Sequence, residues 1–377
     1  MKLRRLRAIA WKETLHILRD ARSLGLALVI PMVMLFLFGY ALNLDLDRVP
    51  LLIWDQSVTP QSRDLVSCFT GSRYFRLVRF VDSYAVIERA LDTGEALTAL
   101  VIPRDYADGL TTGRNSVVQV FLDGSDAYTA TMAKGYAESV VGGASLDLVV
   151  RDSRRSGLPP PVLPVDVRPR VWYNADMQSR NFIIPGLVGI IMMIISALLT
   201  SLTIAREWET GTMEQLVSTP VKPAELVLGK LLPYFFLGLL DVALAVSVGV
   251  FLFGVPLRGS PYLLFGLAAV FLVGALCFGL LLSVITRQQL LASQLSIMLT
   301  YLPAVMLSGF IFAIRNMPVP VQIVTYFFPA RYFIGIIKAI FLKGLIWQDL
   351  WFEAVLLALF SFALVLLCIA KFRKKLV

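Results

Sequence analysis

The sequence predicts a polytopic α-helical membrane protein with six transmembrane helices and an α/β extracytoplasmic domain between spans 1 and 2. Three observations carry this expectation. Of the 377 residues, 57% are hydrophobic and 16% charged, against about a quarter charged in soluble domains. Charges are absent, or single, over 23–44, 181–205, 231–257, 259–286 and 288–314, and over a shorter run at 354–370 that Leu350, Trp351 and Phe352 extend. The basic residues, finally, gather beside the first and last of these runs. A helix crossing about 30 Å of hydrocarbon needs about 20 apolar residues, which each run meets or nearly meets.

The formal net charge of +9 could suggest nucleic acid, but its distribution excludes that reading. Residues 1–22 hold seven Lys and Arg, and Lys371, Arg373, Lys374 and Lys375 form a basic tail at 371–377. The segment 45–180 holds 15 basic and 17 acidic residues and is close to neutral. Short basic flanks stay in the cytoplasm, so both ends are expected inside, which requires an even number of spans. The same residues attract anionic lipid headgroups. The run 23–44 has too long a basic lead and too long an apolar core for a cleaved signal, and no small-x-small site follows it at 42–47. It reads as a retained span. The three cysteines, Cys68, Cys277 and Cys368, offer no disulfide or metal spacing, and Cys68 reads as a small core residue.

Residues 1–22 read as an amphipathic helix lying in the inner membrane interface. Leu3, Leu6, Ala10, Ile17 and Ala21 share one side; Arg5, Lys12, His16 and Arg19 share the other. Arg5, Lys12 and Arg19 are the expected lipid contacts. His16 is the sole histidine and reads as neither ligand nor catalyst. In 45–180, strand signals at 50–55, 75–81, 97–102, 117–122 and 165–172 alternate with helix signals at 61–69, 84–91 and 128–151. Pro159, Pro160, Pro161 and Pro164 form a stiff connector back to the membrane. This domain lacks histidine and its carboxylates are scattered, so no catalytic set or metal site is expected; it reads as structural or as a docking surface. Glycines and prolines at 254–261 mark a tight outer turn. Pro318, Pro320 and Pro329 interrupt 315–349, whose apolar stretches 319–328 and 332–342 suggest short helices re-entering the outer leaflet. No inverted repeat relates the two halves, which argues against many secondary-transporter folds.

The loop 206–230, between spans 2 and 3, is the most informative stretch. It carries Arg206, Glu207, Glu209, Gly211, Thr212, Glu214, Leu216, Thr219, Pro220, Glu225, Gly229 and Lys230. Three glutamates within eight residues oppose the basic character of the cytoplasmic side. They form either a solvated hairpin with local pairs of little energetic weight, or a surface that needs a basic partner. Asp241 is the one acid inside a span, and a membrane-buried ionisable group is a functional candidate. It serves either a contact between helices or the route of a transported compound.

This loop pattern resembles the signature of ABC-2-type transporter permeases. The order of elements agrees along essentially the whole chain: a basic interfacial helix, a span, a domain ending in Trp172, Tyr173 and Asn174, then five spans. The stretch Leu307-Ser308-Gly309-Phe310-Ile311-Phe312, with Asn316, Met317, Pro318 and Pro329, is similar to the family's segment after span five. The chain resembles the bacterial drug-efflux permeases with a large domain after the first span.

The resemblance implies the membrane subunit of an ATP-driven exporter of lipophilic or amphipathic compounds, multi-pass in the bacterial inner membrane. It implies that Arg206, Glu207, Glu209, Gly211, Thr212, Glu214, Leu216, Pro220 and Glu225 couple to a cytoplasmic ATP-binding subunit, their carboxylates meeting Arg or Lys on that partner. Further implied partners are a second or related permease copy, a periplasmic adaptor and membrane lipid. Asp241, Ser308, Gly309 and Phe310 are expected on the transport path. No G-x-x-x-x-G-K-[ST] occurs: Ala224 stands where the first glycine would be relative to Gly229-Lys230, and Leu231 follows. The chain is therefore expected to hold no catalytic site and no cofactor, ATP and Mg binding to the partner. Two other classes remain open: a membrane-anchored sensor using its outer domain, and an ion-coupled carrier using Asp241.

Overall fold

Helix α1 (Leu3–Arg19) turns at Asp20 into α2 (Ala21–Ala41). In α1 the residues Ala10, Glu13 and Ile17, spaced three and four apart, are buried, so its inner face carries an acid among apolar side chains. The computed structural model describes residues 3–41, 48–112, 115–155, 170, 172–174 and 178–372. Most of the strand expected at 165–172, the proline connector and most of the basic tail fall outside them. The chain divides into two units, 44–169 and the remainder.

The inserted unit runs β1 (Val49–Asp55), α3 (Pro60–Thr70), β2 (Phe75–Phe80), α4 (Tyr84–Asp92), β3 (Thr98–Ile102), α5 (Tyr106–Thr111), β4 (Gln119–Leu122) and α6 (Ala127–Arg155). The sheet order is β2-β1-β3-β4, with β1 parallel to β2 and β3, and β4 antiparallel to β3. Alternation along β1 sends Leu51 and Ile53 to the face covered by Leu65 and Phe69 of α3 and Ala133 and Ala137 of α6. Leu52 goes to the opposite face, against Ile87 and Ala90 of α4. Thr59 caps α3 by accepting from the Ser62 amide while Ser62 Oγ accepts from the Thr59 amide. That hydroxyl also donates to Asp55 Oδ2 at 2.6 Å, tying the end of β1 to the helix. Cys68, expected in the core, is exposed, because α3 turns Leu65 and Phe69 inward instead.

The other unit continues with α7 (Ser179–Glu209), α8 (Thr212–Ser218) and α9 (Pro223–Ser247), which runs on through a π-helical turn at Val248–Leu252. Then follow α10 (Pro261–Thr286), α11 (Gln289–Met306), α12 (Val319–Thr325), α13 (Pro329–Lys338) with a π-helical turn at Ala339–Lys343, and α14 (Trp347–Lys371). Among the described residues, five helices are long and apolar enough to cross a membrane: α7, α9 with its turn, α10, α11 and α14. Helix α12 and the α13 segment form a pair bent by 86°, a broken span or a re-entrant loop, and the apolar part of α2, Ala27–Ala41, is shorter. This is a polytopic helical membrane protein.

Helix α7 is the axis of the bundle. Its apolar window is 89% buried, against 22% in α11 and 28% in α14, and it packs on α2, α9, α10, α11 and α13. Without a hydrophobic drive between helices in lipid, close approach and interhelical hydrogen bonds hold such contacts. Thr200 Oγ1 donates to the Leu276 carbonyl at 2.8 Å, and Ser283 Oγ accepts from the amides of Ile204 and Ala205 at 3.1 and 2.8 Å. Gly279 permits this approach: a Cβ there would lie 2.1 Å from the Ala197 carbonyl oxygen. Phe271 of α10 stacks on Phe333 of α13 with centroids 4.0 Å apart.

Candidate functional site

The loop residues singled out by sequence converge where α1 lies against the C-terminal end of α7 and the start of α9. Gly211, with φ +73°, breaks the chain between α7 and α8, a conformation glycine adopts without steric cost. The loop then turns back, and α9 begins at Pro223, whose missing N–H loses nothing at a helix start. Glu225 Oε2 accepts from the Lys222 amide at 3.1 Å and so caps α9. Across from it, a Cβ on Gly229 would sit 2.9 Å from the Ile9 side chain, which lets α1 approach α9 closely.

At the centre of this junction is Lys230, only 1% exposed. Its Nζ lies 2.6 Å from Glu13 Oε1 of α1 and 3.0 Å from Glu207 Oε1 of α7. Lys12 of α1 donates to the same Glu207 oxygen at 2.7 Å. Two carboxylates and two ammoniums thus form a balanced cluster joining three helices. Burying a charge is costly unless it is paired and hydrogen-bonded, and this cluster pairs each member. For Lys12, burial acts to lower the pKa, but the hydrogen bond and charge of Glu207, with the charge of Glu13, outweigh it and leave the ammonium raised. Glu207 Oε2 is buried without a hydrogen-bond partner among the described residues and borders a cavity of about 280 Å³ that also touches Thr212 and Tyr234.

Other charges around the junction also find partners within this chain. Arg206 meets Asp20 Oδ2 at 3.0 Å, His16 Nε2 at 3.0 Å and Gln289 Oε1 at 3.3 Å. Glu209 accepts from the Gln289 amide at 2.7 Å and from the Gln289 side chain, covering the start of α11. Arg5 lies 3.8 Å from buried Glu225 and also donates to the Pro220 carbonyl. Arg287 sits over the Trp208 ring, 4.6 Å from its centroid.

This geometry corrects one expectation. Glu207 and Glu225 do not lie open to basic residues of another protein: both are buried against this chain's own Lys230, Lys12 and Arg5. Lys12 and His16 lie with Arg19 on the exposed side of α1, and both also bond to the end of α7. In α8, Met213 is 1% exposed and anchors the helix, Leu216 is partly buried, and Glu214 faces solvent with Gly211, Thr212 and Pro220.

The residues expected on a transport path fall in two places. Ser308, Gly309 and Phe310 lie in the turn after α11, where Gly309 has φ +79° and Ser308 donates to the Ala304 carbonyl. Phe310 packs against α7 so closely that a Cβ on Gly186 would overlap its ring. Lys338 of α13 completes this cluster, donating to the Gly309 carbonyl at 3.2 Å with its Nζ 3.4 Å from the Phe182 centroid. The run 332–342, read as apolar, therefore contains a bonded cation, a charge that periodicity overlooks. Asp241 is buried in α9, 5% exposed, with Oδ1 unpartnered among the described residues. No hydrogen bond among the described residues joins it to the turn after α11.

A bundle of long apolar helices, a buried ion-pair cluster joining three of them and an α/β insertion after the first apolar helix describe a polytopic membrane protein with an inserted folded unit. The chain belongs to the ABC-2 family: the profile of the ABC-2 family transporter proteins matches residues 22–370. It is 41% identical over 342 residues to the probable multidrug ABC transporter permease YbhS of Escherichia coli K12, a match covering 90% of this chain and 89% of that protein. It is 28% identical over 353 residues to YbhR of the same strain, described in the same words, with 92% and 93% covered. To the inner membrane transport permease YhhJ it is 26% identical over 334 residues, with 88% and 86% covered.

Proposed function

We propose that this permease exports lipophilic or amphipathic compounds from the cytoplasm or inner leaflet of the bacterial inner membrane, driven by a separate ATP-binding subunit. The relatives named as multidrug permeases support the cargo class. The basic residues of 1–22 and 371–377 support placing α1 and α8 in the cytoplasm and the α/β unit outside. In this reading α2, α7, α9, α10, α11 and α14 are the six spans and the α12–α13 pair is re-entrant. The sequence contains no G-x-x-x-x-G-K-[ST] motif, and this reading assigns ATP and Mg to the partner. A second permease copy, or a related one, completes the membrane part, and an adaptor outside is compatible with the exposed α/β unit.

One observation carries the coupling reading: α8, which displays Glu214, connects α7 to α9, and Lys230 of α9 is bonded to Glu13 of α1 and Glu207 of α7. Closure of the ATP-binding subunits on α8 would move a junction whose charges cannot separate cheaply. That motion then passes into α7, the axis of the bundle, and rocks the helices between two states. Asp241 and the turn at Ser308, Gly309 and Phe310 are the proposed path positions. Reconstitution tests the reading. Proteoliposomes holding this chain and its ATP-binding subunit should move a lipophilic dye only with hydrolysable ATP. Movement that follows a proton gradient in the absence of ATP would refute it.

A further inference from the structure

The inserted unit contains a crevice whose position follows from its topology. After β1 the chain leaves through α3 toward β2; after β3 it leaves through α5 toward β4, on the opposite side of the sheet order β2-β1-β3-β4. The two connections part at the carboxyl ends of the adjacent parallel strands β1 and β3, and open α/β sheets bind ligands in the cleft at such a point. A cavity of about 450 Å³ opens there, within the usual size range of small-molecule sites. Its lining includes Gln56 just after β1, Tyr84 at the start of α4, Asp105 and Tyr106 after β3, Asp108 in α5 and Gln119 at the start of β4.

Neighbouring side chains brace two of the walls. The Tyr84 ring is held edge-on by Trp54 at 4.8 Å and by Phe121 at 5.8 Å between centroids, and its hydroxyl lies 3.1 Å from Gln119 Oε1, to which it donates. Tyr106 is 5% exposed, and its carbonyl accepts from Ser116 Oγ at 2.9 Å. Gly109 lets that wall close, since a Cβ there would lie 2.4 Å from Ser116 Oγ. The charges have one sign: Asp105 and Asp108 line the cleft, and no Lys or Arg does so among the described residues. A tyrosine face attracts a cation through its ring quadrupole, and two carboxylates select the same sign.

We infer that this cleft is a binding site for a small organic cation, an ammonium group carrying an aromatic or alkyl body. The inference rests on the α/β unit alone and stands whether or not the export reading does. The test uses the full chain in lipid nanodiscs and isothermal titration with benzyltrimethylammonium, benzenesulfonate serving as the anionic counterpart. Saturable one-to-one binding of the cation is expected, with none of the anion. Asp105→Asn with Asp108→Asn should weaken it roughly tenfold, the scale of two partly exposed charges. Glu138→Gln, a charge removed elsewhere on the same unit, should leave affinity unchanged. Tyr84→Phe should keep most of the affinity and Tyr84→Leu lose it, with the thermal transition of each variant checking that the unit remains folded. Absence of saturable binding, equal affinity for benzenesulfonate, or full affinity in the folded double Asn variant would each overturn the inference.

Discussion

Lys230 of α9 and Glu13 of α1 form an ion pair 2.6 Å long with both side chains buried, although they are 217 positions apart in the sequence. Glu207 of α7 shares the same ammonium. Removing one member of a buried pair strands the others without compensation, at a cost of about 3–5 kcal/mol. Lys230→Met should therefore lower the thermal transition of the detergent-solubilised permease sharply. Adding Glu13→Gln should recover part of the loss, a non-additivity of about 1 kcal/mol or more between contacting residues. If Lys230→Met melts like the parent, the junction does not hold the bundle end together.

The packing of α7 on α10 predicts a contrast within one helix. A Cβ at Gly279 meets the Ala197 carbonyl, whereas one at Gly266 meets nothing within 4 Å. Gly279→Ala should destabilise the purified protein by about 1–3 kcal/mol through overpacking, while Gly266→Ala is neutral or slightly stabilising through helix propensity. Equal melting of the two variants would contradict the close approach.

Orientation is testable with a native residue. Cys68 is exposed on α3, and Cys277 and Cys368 are buried. In intact spheroplasts Cys68 should react with a membrane-impermeant maleimide, and Cys68→Ser should abolish the labelling. A Cys68 that reacts only after permeabilisation would place the α/β unit inside.

Much of this architecture is legible in the sequence because its causes are local. The apolar runs at 181–205, 231–257 and 259–286 fall on α7, α9 and α10, since a lipid-length helix must be continuously apolar. The signals at 50–55, 75–81, 97–102 and 117–122 fall on β1 to β4, where alternation with β-branched residues is a short-range feature. The partners of Glu207 and Glu225 were not legible. Lys12 and Arg5 come from α1, some 200 positions earlier, and Glu207's other partner, Lys230, reaches it only because α9 folds back on α7; no loop-level pattern reveals these pairings. One signal was available: Glu13 sits with Ala10 and Ile17 on the inner face of α1, where an acid requires a buried cation. Lys338 escaped for a related reason, as a single charge inside a segment whose average hydropathy hides it.

The central claim is that α8 presents Glu214 to an ATP-binding subunit while Glu207 acts inside the permease. The most direct measurement is affinity purification of the permease together with that subunit, scored for stoichiometry, ATP hydrolysis and the thermal transition of the permease itself. The account predicts that Glu214→Lys removes most of the bound ATP-binding subunit and its substrate-stimulated hydrolysis while the permease melts as the parent does. Glu207→Gln should instead lower the melting temperature. If Glu214→Lys retains a full complement of ATP-binding subunit with normal stimulated hydrolysis, α8 is not the contact and the coupling assignment is contradicted.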